Sequence, residues 1–212
     1  MIETTATVYL VDDDPFVRHA LSLLLKRAGW RVAAFASAED FLDRYDPVNG
    51  GCLILDVHMP GLNGLELHQQ LNELDCHLPV IFLSGHGDIP MSVRAIKAGA
   101  FDFLTKPVPG QELLAIVEDA VQLDRESRRE AARKAAILER YRRLTPREQE
   151  VMGRMVTGRS SKEIARLLGV SYRTVEIHRS RVLEKMEARS LPDLIAQALI
   201  GGILDLNKGP HP

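Results

Sequence analysis

The sequence predicts an α/β domain with a parallel five-stranded sheet, followed by a smaller all-α domain. Five short apolar runs alternate with amphipathic stretches over residues 1–108, an order typical of βαβ units. Apolar residues then recur at helical spacing over residues 144–200. Charge divides in the same way, because residues 1–124 carry 8 basic against 18 acidic residues and residues 125–212 carry 19 against 11. This asymmetry indicates two modules with different partners, and only the basic one suits a polyanion.

Composition excludes several classes of protein. With 45% hydrophobic and 26% charged residues, the 212-residue chain is neither disordered nor collagen-like. No apolar run approaches the roughly 18 residues of a membrane span, and the N-terminus lacks the basic flank of a secretory signal. Cys52 and Cys76 are too few for a disulfide framework or a four-ligand zinc site. We therefore expect a cytoplasmic protein in which Cys52 is a small buried hydrophobe.

The elements of the first domain follow from periodicity and from residues that end helices and strands. Strands are predicted at Thr7–Val11, Arg31–Phe35, Cys52–Leu55, Pro79–Leu83 and Asp102–Leu104. Helices are predicted at Pro15–Ala28, after Ser37, at Asn63–Leu74, at Pro90–Ala98 and from Gly110 onwards. Because residues 53–55 are all apolar, the sheet is expected to be buried on both faces.

The segment from Gly110 to Arg143 changes character along its length. Up to Val121 its apolar residues form a core-facing stripe, and from Arg125 it is charged and alanine-rich, which favours a helix with little core face. The sequence leaves open whether this is one continuous helix or a separate helical linker. We place the domains at residues 1–122 and 142–212, with a helical linker at 123–141.

The second domain contains a helix-turn-helix pattern. Its four helices are predicted to begin after Thr145, Ser160, Ser171 and Ser190, and the first two starts are capping boxes. The second and third helices flank Gly169-Val-Ser171, and the third, from Tyr172 to about Glu187, would enter the major groove of DNA. Basic residues on a helix face also occur on solvated surfaces, so this pattern alone leaves both interpretations open. We expect a disordered tail at Asn207–Pro212.

Polar residues end the strands at one edge of the predicted sheet. Asp12 and Asp13 follow the first strand, Asp56 the third, Ser84 the fourth and Lys106 the fifth. Ligands bind at this edge of parallel sheets.

Three neighbouring carboxylates repel one another without a cation, and Mg²⁺ suits a few carboxylates with water. A lysine and a hydroxyl can hold phosphate oxygens, and one carboxylate can act as a nucleophile toward phosphorus. Singly, the aspartates could be solvated turns or helix caps; only their joint position indicates a site.

Four segments of the first domain resemble the receiver domains of bacterial response regulators. They are Val8–Asp14, Leu53–Gly64, Phe82–Asp88 and Phe101–Pro107. The resemblance covers about residues 6–122 and implies a flavodoxin-like (βα)5 fold. It also implies that Asp56 accepts a phosphoryl group from a sensor kinase histidine and that Lys106 contacts this group.

The resemblance assigns further roles around the acidic pocket. Asp13 is expected to bind Mg²⁺ directly, Asp12 to complete the pocket, and the backbone carbonyl of His58 to be another metal ligand. Ser84 stands at the position of the switch hydroxyl and Phe103 at that of the switch aromatic residue. The commoner residues there are Thr and Tyr, so this switch lacks a β-branch and a phenolic hydroxyl. The side chains of His58 and His86 are either ordinary loop residues or tune the hydrolysis of the phosphoryl group.

The second domain resembles the LuxR/FixJ-type helix-turn-helix, and the whole chain resembles FixJ/NarL response regulators. The similarity lies in Leu144–Val151, Lys162–Gly169 and Thr174–His178, with His86–Ala100 closer to the FixJ branch. By position, Glu176, Ile177 and Ser180 should face base edges, where Glu suits a cytosine amine and Ile a thymine methyl. Phosphate contacts are expected from Arg173, His178, Arg179, Arg181 and Lys185, with further backbone contacts from Lys162 and Thr174.

These features predict a phosphorylation-activated, DNA-binding transcriptional regulator. Its expected partners are a sensor histidine kinase, double-stranded promoter DNA, RNA polymerase and a second copy of the chain. Phosphorylation would move Ser84 and Phe103, reshape the surface near Pro90–Leu104 and so drive dimerisation. The fourth helix, Leu191–Ile200, is either a dimerisation surface or core.

The sequence also leaves two rival functions open. One is a Mg²⁺-dependent phosphohydrolase, for which we find neither a substrate pocket nor a general acid. The other is a DNA-binding protein with a silent receiver, against which the complete set of site residues argues. We therefore expect no enzymatic activity beyond self-phosphorylation and autodephosphorylation at Asp56.

Overall fold

The computed structural model describes residues 6–85 and 89–204 and divides the chain into two compact units after Arg128. The predicted disordered tail and the side chain of His86 lie outside the described residues. In the described part of the chain, no helix is long and apolar enough to cross a membrane.

The first unit is a five-stranded parallel sheet with helices between its strands, which confirms the predicted fold. Its strands are β1 (Thr7–Val11), β2 (Arg31–Phe35), β3 (Gly51–Asp56), β4 (Val80–Ser84) and β5 (Asp102–Thr105). Its helices are α1 (Pro15–Arg27), α2 (Ala38–Arg44), α3 (Gly64–Glu73), α4 (Ile89–Lys97) and the first part of α5 (Gly110–Arg142), whose residues after Arg128 belong to the second unit. The strand order is β2-β1-β3-β4-β5, so the carboxyl ends of β1, β3, β4 and β5 lie side by side.

Both faces of the sheet are covered, because the central strands are apolar throughout. On β3, Leu53 and Leu55 pack into one buried cluster together with Phe82. The alternate residues Cys52 and Ile54 pack into the cluster on the opposite face. Cys52 is fully buried, as predicted. Both faces of the central strands are therefore closely packed up to the ends that carry the polar residues.

Helix α5 is one uninterrupted helix, which answers the question left open by the sequence. It contacts the first unit beyond residue 122, because the buried carboxylate of Asp124 accepts a hydrogen bond of 2.8 Å from the backbone N–H of Gly51. Arg128 binds Asp124 and donates to the backbone carbonyl of Pro47 at 3.0 Å. The exact domain boundaries remain predictions.

The second unit consists of helices around a core of its own. The helices that follow α5 are α6 (Pro146–Val156), α7 (Ser161–Leu168), α8 (Tyr172–Lys185) and α9 (Leu191–Ile200). Thr145 and Ser160 form the two predicted capping boxes. Gly169 ends α7 at φ 63°, a left-handed conformation that favours glycine. Met152, Val182 and other apolar side chains fill the core.

Candidate functional site

Three carboxylates meet at the carboxyl edge of the first unit. Oxygen atoms of Asp12, Asp13 and Asp56 lie within 4.8 Å of one another. Strands β1 and β3 are hydrogen-bonded neighbours, which brings the residues at their ends together. Asp12 and Asp56 are buried, whereas Asp13 is exposed. The predicted acidic pocket therefore exists, and it has one side open to solvent.

Lys106 bridges two of these carboxylates. Its Nζ atom lies 2.6 Å from Asp12 Oδ2 and 2.7 Å from Asp56 Oδ2. Burial alone would lower the pKa of Lys106, but the hydrogen bonds to both carboxylates outweigh it and raise this pKa above its ordinary value. Among the residues that the structure describes, only Lys106 forms an ion pair with these carboxylates. The ammonium of Lys106 therefore pairs with two of the three clustered carboxylates.

The environment of Asp12 disfavours its charged form. Burial raises the pKa of Asp12 above its ordinary value, and the hydrogen bond and charge of Lys106 only partly offset this effect. The Oδ1 atom of Asp12 accepts a hydrogen bond of 2.9 Å from the backbone N–H of Asp14. A cation at the pocket would stabilise the charged carboxylate.

Asp56 is held by the loop that follows β3. Its Oδ1 atom accepts a hydrogen bond of 3.1 Å from the backbone N–H of His58. Gly64 packs against the carbonyl oxygen of Asp56, and a Cβ atom there would lie only 2.1 Å from that oxygen. Because glycine has no Cβ atom, Gly64 lets α3 begin in direct contact with the backbone of Asp56. The role of the His58 carbonyl as a metal ligand stays a prediction.

The two predicted switch residues lie on the neighbouring strands. Ser84 ends β4 and is fully buried, and its carbonyl accepts a hydrogen bond of 2.8 Å from the backbone N–H of Lys106. Phe103 on β5 is half-buried, with its ring centroid 6.2 Å from that of Phe82. A backbone hydrogen bond thus joins the predicted switch residue Ser84 directly to Lys106.

The helix-turn-helix pattern is present as predicted. Helix α7 ends at Leu168 and α8 begins at Tyr172, where Ser171 caps its N-terminus. The exposed residues among those predicted to bind DNA are Lys162, Arg173, Glu176, Ile177, Ser180 and Arg181. The exposed face of α8 thus carries the three residues predicted to face base edges.

Comparison with known proteins identifies both units. The family of response regulator receiver domains matches residues 8–118, and the luxR family of bacterial regulatory proteins matches residues 142–198. Nodulation protein W of Bradyrhizobium diazoefficiens is 47% identical over 201 residues, covering 94% of this chain and 88% of that protein. FixJ of Azorhizobium caulinodans is 41% identical, covering 92% of this chain and 93% of that protein. The chain belongs to the FixJ/NarL-type response regulators.

Solved structures agree with this assignment. The response regulator StyR is 41% identical and gives a TM-score of 0.86, with 92% of this chain and 98% of that chain covered. Full-length FixJ from B. japonicum is 38% identical and gives a TM-score of 0.57, with 94% and 98% covered. As predicted, this response regulator joins a receiver to a LuxR-type DNA-binding domain and regulates transcription.

Four of the residues that are predicted to contact DNA in this response regulator are half-buried, and their surroundings differ. Lys185 places its Nζ atom 2.6 Å from Oε2 of the buried Glu148. Thr174 shares a hydrogen bond of 2.8 Å with Ser171. Arg179 lies 3.6 Å from the Glu176 carboxylate. For His178, the buried Nδ1 atom has no hydrogen-bond partner within the described part of the chain. All ten DNA contacts remain predictions.

The sequence left open whether α9 of the response regulator forms a dimerisation surface or part of the core. In the structure, α9 lies partly in the core. Leu194, Gln197 and Ala198 are buried, and Leu199 is 40% exposed.

Sequence reasoning missed one residue at the acidic pocket. Arg18 donates a hydrogen bond of 2.6 Å from its Nη1 atom to the backbone carbonyl of Asp12. The available signal was Asp14, because an aspartate directly before a proline and an apolar periodic stretch is typical of a helix N-cap. Asp14 is the N-cap of α1, and this cap places residue 18 in the first turn beside Asp12.

Proposed function

We propose that Asp56 is the phosphoacceptor of this response regulator. One Oδ atom of Asp56 attacks the phosphorus of a phosphohistidine on the sensor kinase. The P–N bond breaks, and the imidazole leaves with the electron pair and takes up a proton. The observation that carries this proposal is the bridge from Lys106 Nζ to Asp12 and Asp56, at 2.6 and 2.7 Å, because it places a cation beside the acceptor carboxylate.

We propose Mg²⁺ as the metal at this pocket. The carboxylates of Asp12, Asp13 and Asp56 would hold it, together with the backbone carbonyl of His58, and this set of oxygen donors suits a hard divalent cation. When bound, Mg²⁺ neutralises negative charge on the transferring phosphoryl group. The burial that raises the pKa of Asp12 gives a second reason for a cation to bind here.

The remaining residues bind the phosphoryl group and change conformation when it is present. Lys106 pairs its ammonium with phosphoryl oxygens instead of with two carboxylates, and the hydroxyl of Ser84 donates to the same oxygens. Phe103 then occupies the space that Ser84 leaves. The phosphoryl group thereby stabilises one of two receiver conformations.

The output is dimerisation and binding to promoter DNA in the bacterial cytoplasm, where RNA polymerase is the next partner. A two-fold dimer would match a pseudo-palindromic site. Autodephosphorylation is the only further chemistry we propose, with water attacking the phosphorus of phospho-Asp56. The receiver would turn over no separate substrate.

The test is the intact mass of the wild type, Asp56→Ala and Asp43→Ala after treatment with acetyl phosphate. Asp43 is an exposed aspartate on α2 and controls for the loss of one carboxylate. We expect one Mg²⁺-dependent phosphoryl adduct on the wild type and Asp43→Ala, and none on Asp56→Ala.

Light scattering and gel-shift assays on the same samples test the output. Only the two phosphorylated proteins should dimerise and bind promoter DNA more tightly. Dimerisation of Asp56→Ala on addition of the phosphodonor would contradict the proposal. Steady release of phosphate from small phosphoesters would contradict the absence of a separate substrate.

A further inference from the structure

The segment from the end of β1 through the first turn of α1 contains a basic residue that has no role in the proposal above. Arg18 is half-buried in the first turn of α1. Its Nη1 atom donates a hydrogen bond of 2.6 Å to the backbone carbonyl of Asp12. That carbonyl belongs to the peptide bond that joins Asp12 to Asp13. A charge-assisted hydrogen bond therefore acts on the peptide between two of the three clustered carboxylates.

Further hydrogen bonds tie the same segment together. The backbone N–H of Asp14 donates to Asp12 Oδ1 at 2.9 Å, and the side chain of Asp14 accepts from the backbone N–H of Phe16 at 2.8 Å. The backbone N–H of Arg18 donates to the carbonyl of Asp14 at 3.0 Å. The Arg18 side chain thus closes a ring of hydrogen bonds that begins and ends at Asp12. Asp13 lies between Asp12 and Asp14 and is therefore enclosed by this ring.

We propose that Arg18 is a positioning residue of the metal site. By holding the Asp12–Asp13 peptide, its guanidinium directs the exposed Asp13 carboxylate toward the cation that Asp12 and Asp56 share. The inference rests on the proposed function, since it takes a divalent cation at these three carboxylates as given. Loss of a group that orients a metal ligand commonly weakens metal binding by about 10- to 100-fold.

Two effects of Arg18 on a bound cation have opposite signs. Its positive charge repels the cation, so charge alone predicts tighter metal binding when Arg18 is removed. Its hydrogen bond positions Asp13, so positioning predicts weaker binding. The sign of the change in Arg18→Ala therefore separates the two roles, and we expect the metal affinity to fall by about 10-fold.

The experiment measures metal binding by the full chain directly. Free Mn²⁺ is counted by electron paramagnetic resonance, because Mn²⁺ accepts the oxygen ligands that suit Mg²⁺, and Mg²⁺ is then added as a competitor. Arg27→Ala is the matched control, since it removes the same charge from an exposed position in the last turn of the same helix. Arg27→Ala should bind Mn²⁺ as the wild type does. Arg18→Ala should also reach the wild-type fraction of phosphoryl adduct once Mg²⁺ is raised about 10-fold.

Equal or tighter Mn²⁺ binding by Arg18→Ala would overturn the role of Arg18 and leave the phosphorylation site intact. If instead the wild type and Asp13→Asn bind Mn²⁺ equally poorly, the proposed metal site itself is wrong.

Trp30 fluorescence in EDTA shows whether the Arg18→Ala receiver is folded. If it is not, Arg18→Gln decides, because glutamine removes the charge and keeps a hydrogen-bond donor. Positioning then predicts binding no tighter than in the wild type, and a charge effect alone predicts tighter binding.

Discussion

Each unit of this response regulator contains a lysine bound to a buried carboxylate, but the two sites differ in their balance of charge. In the receiver, Lys106 faces the carboxylates of Asp12 and Asp56 at 2.6 and 2.7 Å. In the DNA-binding domain, Lys185 faces the single carboxylate of Glu148 at 2.6 Å. The distances are nearly the same, so distance alone does not distinguish a chemical site from a structural one.

The remaining hydrogen bonds distinguish the two sites. Glu148 also accepts a hydrogen bond of 2.8 Å from the backbone N–H of Thr145, as the N3 residue of a capping box. Its pKa is lowered despite burial, because Lys185 and Thr145 stabilise the charged form. The pKa of Asp12 is raised by burial, with Lys106 offsetting only part of the cost. A carboxylate with balanced partners stabilises a fold, whereas surplus carboxylates indicate a place for a cation.

The largest effect we predict is the loss of the balanced pair. Glu148→Gln keeps a side chain that can complete the capping box but leaves Lys185 without its countercharge. Because Glu148 is only 2% exposed, we expect the DNA-binding domain to lose about 2 kcal/mol of unfolding free energy. Urea unfolding followed by circular dichroism measures this loss. Trp30, the single tryptophan, lies in the receiver, so its fluorescence reports the receiver separately and should not change.

Glu150→Gln is the matched control for this prediction. Glu150 is on the same helix and binds Arg147 at 2.6 Å, but it is 45% exposed. An exposed ion pair contributes little, so we expect a change below about 0.5 kcal/mol. If the two variants are equally stable, the burial of Glu148 has no energetic consequence and the contrast with the receiver fails.

A smaller effect of opposite sign is predicted in the receiver. Asp13→Asn removes one surplus negative charge, so it should raise the unfolding free energy of the receiver in EDTA by about 0.5 kcal/mol, because an exposed charge is well screened. It should also abolish the added stability that Mg²⁺ gives the wild type. Urea unfolding followed by Trp30 fluorescence, with EDTA or with Mg²⁺, checks both results.

Asp43→Asn removes the same charge from an exposed position on α2 and should retain the full response to Mg²⁺. Destabilisation of the EDTA-treated receiver by Asp13→Asn would mean that Asp13 supports the fold rather than a cation.

The receiver sheet and its acidic pocket could be predicted from sequence because both depend on local patterns and on topology. Apolar β-branched runs specify strands, and every predicted strand end lies within one residue of the observed end. Parallel strands place their carboxyl ends at one edge, so Asp12, Asp56 and Lys106 were expected at the same edge once the strands were assigned.

Residues whose partners are distant backbone or buried groups could not be predicted in this way. Lys185 follows the exposed spacing of a recognition helix, but its partner is Glu148, 37 residues earlier in the chain. Asp124 and Arg128 resemble an ordinary exposed pair one helical turn apart. In the structure Asp124 binds the amide of Gly51, 73 residues away. Periodicity describes which face a residue occupies, and it contains no information about which group lies opposite.

The smallest predicted effect is a difference in pH dependence between the two domains. The folded-state pKa of Glu148 is below its ordinary value of 4.5, so its stabilisation is complete above pH 4.5 and is lost as the pH falls through the folded-state pKa. The folded-state pKa of Asp12 is above its ordinary value of 3.8, so in EDTA its cost is complete above that raised pKa and is relieved as the pH falls toward 3.8. As the pH falls below 4.5 toward 3.8, acidification should therefore lower the urea midpoint of the DNA-binding domain more steeply than that of the receiver. Circular dichroism and Trp30 fluorescence measure the two midpoints. Glu148→Gln should reduce the difference in slope by flattening the response of the DNA-binding domain, while the Asp12 contribution of the receiver stays. If the slope of the DNA-binding domain is unchanged in that variant, carboxylates other than Glu148 produce it.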